Sequence, residues 1–209
     1  MPGQRTELYK VKKEDIPKAG AVLADAFQHD PVWERVLEGV EVDLRCAFFQ
    51  GPVRYCRKYG EVYASSELLE GIAAWVPGDL ADMTVWRMMR TGSAGWGMRM
   101  GMEMVRLGQR MRPVFDPLEA DRRANMKGRD YLYLMIIGVA SQFQGQGFGG
   151  RLLAALVEES EQVRVPLYLE TATERNVRMY EGLGFGVVKQ ITLPVIDRPQ
   201  WEMVREPGA

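Results

Sequence analysis

Between Gln144 and Arg151 the chain reads Gln-Gly-Gln-Gly-Phe-Gly-Gly-Arg. Ahead of it runs Tyr131-Leu-Tyr-Leu-Met-Ile-Ile-Gly-Val139, an apolar stretch of strand length. Behind it comes Leu152-Leu-Ala-Ala-Leu-Val-Glu-Glu159, apolar at helical spacing. The expectation is a strand, a glycine-rich turn and a helix start near Gly147. Such a turn gathers backbone N–H groups at the positive end of a helix dipole, which is a place to hold a phosphate.

Working outward, Glu7 to Val11 reads as a short strand. Asp15 to Gln28 reads as a helix with Ile16, Ala19, Val22, Leu23 and Ala26 on one face. Pro31 to Leu37 reads as a second helix, and Leu44 to Tyr59 as a third with a kink at Pro52. Glu61–Ala64 and Leu69–Val76 are predicted strands joined by a turn near Ser65-Ser66. Residues 79–129 then interrupt the pattern with a methionine-rich, arginine-rich stretch. It holds Trp86, Trp96, Met98, Met100, Met102, Met104 and Met111 beside Arg99, Glu103, Arg106 and Arg110. Its spacing predicts a helical insertion, split near Gly92–Gly97 and at Pro113 and Pro117. After the turn come a strand at 167–172, a short helix at 175–182, and strands near 184–192 and 200–206. The alternation points to an α/β fold: one domain over 1–209, a mixed twisted sheet flanked by helices, with the insertion between its third and fourth strands.

Composition narrows the function. The 209 residues carry a net charge of −1, so no field draws in nucleic acid. Cys46 and Cys56 are the two cysteines, which fits a reducing, cytoplasmic setting better than a disulfide framework. No stretch is long enough to span a membrane, and Met1-Pro-Gly-Gln-Arg-Thr has no apolar h-region. His29 is the single histidine, without metal-ligand spacing around it, so no metal site is expected.

The turn admits two phosphate readings and a plain one. Gly145, Gly147 and Gly150 satisfy G-x-G-x-x-G, and Glu170 stands where a ribose-binding carboxylate belongs in a nicotinamide dinucleotide-binding oxidoreductase. Against this, Ala140-Ser-Gln-Phe-Gln144 separates strand from glycines, and too little chain follows to complete a doubly wound sheet. No Gly-Lys-Ser/Thr follows, which excludes a Walker loop. The plain reading is a helix entry whose glycines only permit a tight turn. The other phosphate reading is Gln144-x-x-Gly147-x-Gly149, and it gains weight from Arg175-Asn176-x-x-x-Tyr180-Glu181-x-x-Gly184-Phe185 downstream.

Together these two stretches resemble the signatures of the GCN5-related N-acetyltransferase (GNAT) superfamily. Leu169-Glu170-Thr171, the Arg175-Asn176 pair and Trp201-x-Met203-x-Arg205-x-Pro207 resemble its puromycin N-acetyltransferase-like branch. Where relatives often carry a histidine before the strand at 131–139, this chain has Arg129, Asp130 and Tyr131. The resemblance implies an acetyl-CoA co-substrate held by residues 131–185, and direct transfer of the acetyl group to the amine of a small molecule. Neither cysteine lies near the motifs to form an acyl-enzyme. A non-catalytic CoA-binding module on the same fold is the alternative. No nucleic-acid or membrane partner is implied, and the assembly is a monomer or homodimer.

Residue by residue, the resemblance puts the diphosphate on the backbone of Gln144, Gly145, Gln146, Gly147, Phe148, Gly149 and Gly150. Pantetheine lies along Ile137, Gly138 and Val139, where an N–H aimed at the thioester oxygen stabilises developing negative charge. Gly138 inside an apolar strand marks a bulge or a close backbone approach. Tyr180 is the expected acid that protonates the leaving thiolate, and Asn176, one turn earlier, bonds the cofactor. Glu170 is the expected base or ammonium site, or else a carboxylate salt-bridged to Arg175. His29, Asp30 and Glu103 are weaker candidates.

Overall fold

The computed structural model describes residues 8–208; the side chains of residues 93–100 and of Met104 lie outside that description. Glu7, Trp96, Met98, Arg99, Met100 and Met104, singled out above, are therefore outside the described set.

The chain begins with strand β1 (Tyr9–Lys10) and three helices, α1 (Ile16–Ala26), α2 (Pro31–Val36) and α3 (Val42–Tyr59). Strands β2 (Glu61–Ala64) and β3 (Gly71–Pro77) follow. The insertion then forms α4 (Val85–Met88), a π turn at Met89–Ser93 and the long helix α5 (Ala94–Asn125). Strand β4 (Leu132–Val139) leads through the glycine turn to α6 (Phe148–Val163). Strand β5 (Leu167–Thr171), α7 (Glu174–Glu181), β6 (Gly186–Leu193) and β7 (Arg198–Arg205) complete the fold.

The strands make one seven-stranded sheet in the order β1-β2-β3-β4-β5-β7-β6. Every neighbouring pair is antiparallel except β4 with β5, which α6 connects as a parallel crossover. The sheet separates two layers. On one side α6 and α7 cover Trp75, Leu132, Leu134, Leu167, Leu169 and Met203. Leu152, Leu153 and Leu156 of α6 are at most 1% exposed, and each such burial stabilises by about 1.5–3 kcal/mol. On the other side α1, α2, α3 and α5 cover Ile72, Ala74, Val76 and Ile136.

Several helix boundaries differ from expectation for identifiable reasons. α3 runs unbroken through Pro52, because Val53, Tyr55 and Cys56 are fully buried and hold the turn that proline weakens. α5 likewise passes through Pro113 and Pro117, with Val114 and Leu118 anchored in the core while Pro113 faces solvent. The insertion breaks at glycines that leave helical geometry: at Gly92 (φ 79°), inside the expected split, and at Gly101 (φ 47°) rather than at the prolines.

Candidate active site

The decisive local feature is where β4 and β5 stop pairing. Leu132 pairs with Leu167 and Tyr133 with Tyr168, and the parallel register ends there. Beyond Tyr133 the two strands splay, opening a gap between sheet neighbours. A β-bulge accompanies the splay: Trp75 faces Leu134 and Ala74 faces Ile136, which leaves Met135 as the extra residue in β4. The bulge therefore lies at Met135, not at Gly138. Gly138 serves close approach of a different kind. A Cβ there would stand 2.9 Å from the Ala26 Cβ and 3.1 Å from Leu23 Cδ2, so its bareness lets α1 pack on the strand.

The ladder fixes which backbone groups face the gap. The Ala140 N–H donates to the Glu70 carbonyl at 2.9 Å, so residues 138 and 140 turn their backbone groups toward β3. By alternation, Ile137 and Val139 turn theirs away from β3, toward the splay. The Gln144 side-chain amide donates to the Val139 carbonyl at 3.1 Å. Gln144 thus acts through the turn's shape, folding it back onto the strand that precedes it.

The turn is built for close backbone approach. Gly145 (φ 77°) and Gly147 (φ 83°) occupy the left-handed region that favours glycine, and a Cβ on either would meet nothing within 4 Å. Gly147 is the N-cap of α6 without a side-chain cap. The N–H groups from Gly145 to Gly150 find no acceptor among the described residues; the first helical bond back to the cap is Arg151 N–H to the Gly147 carbonyl, at 3.1 Å. The turn's base is pinned by Asp25 of α1, whose carboxylate accepts from the Ser141 N–H at 2.6 Å and the Ser141 hydroxyl at 3.1 Å. The result is a row of free amides at a helix N-terminus, directly past a splayed strand pair.

After β5, α7 starts at Thr173, whose hydroxyl accepts from the Asn176 N–H at 3.3 Å. Asn176 is half-buried and Tyr180, one turn on, is 4% exposed. The Tyr180 ring packs edge-on against Phe185 with centroids 5.5 Å apart. Its hydroxyl makes no hydrogen bond among the described residues, and burial raises its pKa above the ordinary phenol value.

Glu170 lies on the opposite face of β5 from Leu169, under α5. Its Oε2 accepts from the Tyr133 hydroxyl at 2.8 Å, and its Oε1 lies 3.6 Å from Arg122 Nη1. The expected partner Arg175 is replaced by Arg122. Burial pushes the Glu170 pKa up to about 7, with Arg122 and Tyr133 opposing the rise. Glu170 faces Glu202 in register on β7, and Glu202 accepts from Tyr168 at 2.5 Å and from Asn125 at 2.8 Å.

Residues 111–185 match the acetyltransferase (GNAT) family model. An N-acetyltransferase of Schizosaccharomyces pombe, itself uncharacterized, is 28% identical over 95% of this chain and 82% of its own length. A mycothiol acetyltransferase of Propionibacterium freudenreichii is 40% identical over 31% of this chain and 22% of its own. The fold is shared with arylalkylamine N-acetyltransferase 2 of Aedes aegypti (TM-score 0.64, 11% identity, 96% of this chain and 98% of that one). It is also shared with a putative acetyltransferase of Salmonella typhimurium solved with acetyl-CoA (TM-score 0.56, 16% identity, 97% of this chain and 94% of that one). Residues 111–185 thus match the GNAT acetyltransferase model, and the chain as a whole shares the fold of these solved acetyltransferases.

The first motif lies on the turn that follows β4, and the second on α7, which follows β5, the strand from which β4 parts. The Trp201, Met203 and Arg205 tail is structural. Trp201 and Met203 pack into the α6–α7 layer, and Arg205 donates to the Leu183 carbonyl at 2.9 Å and to Glu161 at 2.6 Å. Asp30 caps α2, accepting from the Val32 and Trp33 N–H groups at 3.0 and 3.1 Å. His29 is exposed, and Glu103 pairs with Arg106 on the exposed side of α5. The residues missed by sequence reading are Arg122, Asp82 and Tyr133. Their signal was weak, since an arginine near the end of a charged helix and a tyrosine in an apolar strand look ordinary.

Proposed function

We propose that this GNAT domain transfers the acetyl group of acetyl-CoA directly to the amine of a compact small molecule. The observation that carries the reading is the splay of β4 from β5, ending at six unclaimed amides on a helix N-terminus. That arrangement suits a ligand with a peptide-like arm and a diphosphate. The residues fit acetyl-CoA on this ground: Ile137 and Val139 offer backbone groups to the arm, Gly145 to Gly150 offer donors to the diphosphate, and Asn176 reaches from α7. Acetyl-CoA supplies an activated thioester.

The chain's own residues supply the rest. A backbone N–H of the β4 edge polarises the thioester oxygen. Tyr180 gives a proton to the leaving sulfur. Its raised pKa keeps it protonated near neutrality, as an acid must be. Glu170 takes the proton from the acceptor nitrogen, at a carboxylate whose pKa of about 7 suits a base. A compact acceptor is supported by the covering of Glu170, which lies under α5 with its carboxylate between Tyr133 and Arg122.

The test is thiol release from acetyl-CoA against a panel of puromycin, polyamines and amino acids. Thiol release with at least one amine, and an acetylated product of matching mass, supports the reading. Stabilisation by acetyl-CoA without release for any amine favours a binding module.

A further inference from the structure

Arg122 joins three parts of the molecule. It projects from the C-terminal part of α5 and is 3% exposed. Its Nη2 donates to Asp82 Oδ1 at 2.7 Å, where the chain enters the insertion. Its Nη1 lies 3.6 Å from Glu170 Oε1 on the sheet. Its guanidinium carbon stands 4.3 Å from the centroid of the Tyr133 ring, whose hydroxyl holds the other Glu170 oxygen. Around Glu170 are Tyr133 from β4, Tyr168 from β5, Glu202 from β7, and Glu119 and Arg122 from α5. Glu202 and Glu119 disfavour a second negative charge, and Arg122 is the cation set against them. Glu170 Oε1 has no hydrogen-bond partner among the described residues, which leaves that atom to accept a proton.

We propose that Arg122 is a positioning residue through which the helical insertion, seated on the sheet, keeps the Glu170 carboxylate ionised and oriented to take the proton of the acceptor ammonium. The step moves one proton from the ammonium nitrogen to Glu170 Oε1, leaving a neutral amine and a neutral carboxylic acid that returns the proton to solvent. Without the Arg122 guanidinium, Glu170 stays buried but loses its counter-charge, and the neutral acid that burial among carboxylates favours takes over. The inference rests on Glu170 being the base, and its test separates the two.

The midpoint of Glu170 ionisation is read by NMR of the ¹³C-labelled carboxyl in the ligand-free protein. The acidic limb of kcat/KM is read with whichever panel amine turns over. In R122Q both are expected to move up by about one pH unit or more, the usual effect of losing an adjacent opposite charge. R122K is expected to stay near the unsubstituted protein. D82N, which removes the carboxylate sharing Arg122, is expected to move both downward and serves if R122Q does not fold. A Glu170 midpoint unmoved in R122Q, or in D82N when R122Q is unfolded, with turnover reduced evenly at all pH, overturns the proposal. A midpoint that moves while the activity limb stays refutes Glu170 as the base and leaves its pairing with Arg122 standing.

Discussion

The side-chain amide of Gln144 bonds the carbonyl of Val139 across 3.1 Å, tying the glycine turn to the end of the strand it leaves. The motif glutamine therefore shapes the site. Gln144→Ala removes one hydrogen bond, typically worth about 1 kcal/mol, and frees the turn. CoA affinity measured by calorimetry is expected to fall about five- to tenfold, with thermal stability nearly unchanged. An unaltered Kd would show that the turn holds its shape without this bond.

Gly147 gives a sharper test. Its left-handed φ of 83° strains any side chain by about 1–2 kcal/mol, yet a Cβ there meets nothing within 4 Å. Gly147→Glu is therefore expected to fold, with a circular dichroism spectrum like that of the unsubstituted protein. It places a carboxylate among the free amides, and CoA binding should disappear. Normal binding would refute the diphosphate assignment.

Tyr180→Phe keeps the ring that packs against Phe185 and removes the hydroxyl. CoA affinity should persist while kcat falls by about a hundredfold or more, the usual scale for loss of a general acid. Unchanged turnover would remove Tyr180 from the mechanism.

Glu170 links the site to stability. Its folded-state pKa of about 7 lies above the ordinary carboxylate value of 4.5, so the folded protein binds the proton more tightly than the unfolded chain. Stability therefore declines as pH rises from about 4.5 to 7, and the loss is complete above that window. Its size is on the order of 3 kcal/mol. Glu170→Gln should abolish this slope. In thermal melts from pH 5 to pH 8 the variant should gain on the unsubstituted protein as pH rises, and parallel curves would contradict the burial cost.

Gly138→Ala tests the packing of α1 on β4. The new methyl would stand 2.9 Å from Ala26 Cβ, so helix or strand must shift. Overpacking of this kind costs about 1–3 kcal/mol, visible as a lower Tm. CoA binding should weaken as well if the shift reaches Ile137 and Val139.

Local pattern exposed much of this molecule. The apolar run, the glycines and the following amphipathic segment form one continuous stretch, residues 131–159, so β4, the turn and α6 are readable from periodicity and turn chemistry. Asn176 and Tyr180 came from a motif whose spacing is one helical turn. The Glu170 environment was not readable. Arg122 and Asp82 lie forty residues apart, and both are far in sequence from Glu170, so only the folding of α5 across the sheet brings them together. Of the two features expected at Gly138, the structure has the close approach there and the bulge at Met135, for a related reason. Gly138 is the residue that looks exceptional in the strand, while Met135 is made exceptional by its pairing with β3.

That bulge has a developmental cost for anyone re-engineering the strand. Met135 and Ile136 both point toward α1 and α3, so one supernumerary residue swaps the inside-outside parity of everything after it. Were β4 to keep all its residues and pair without the bulge, its outer half would slip by one residue against β3. Val139 would turn from α6 toward α1, and the amides now facing the splay would be spent on β3. The strand would still look well formed, and the backbone groups proposed for the donor's arm would be gone.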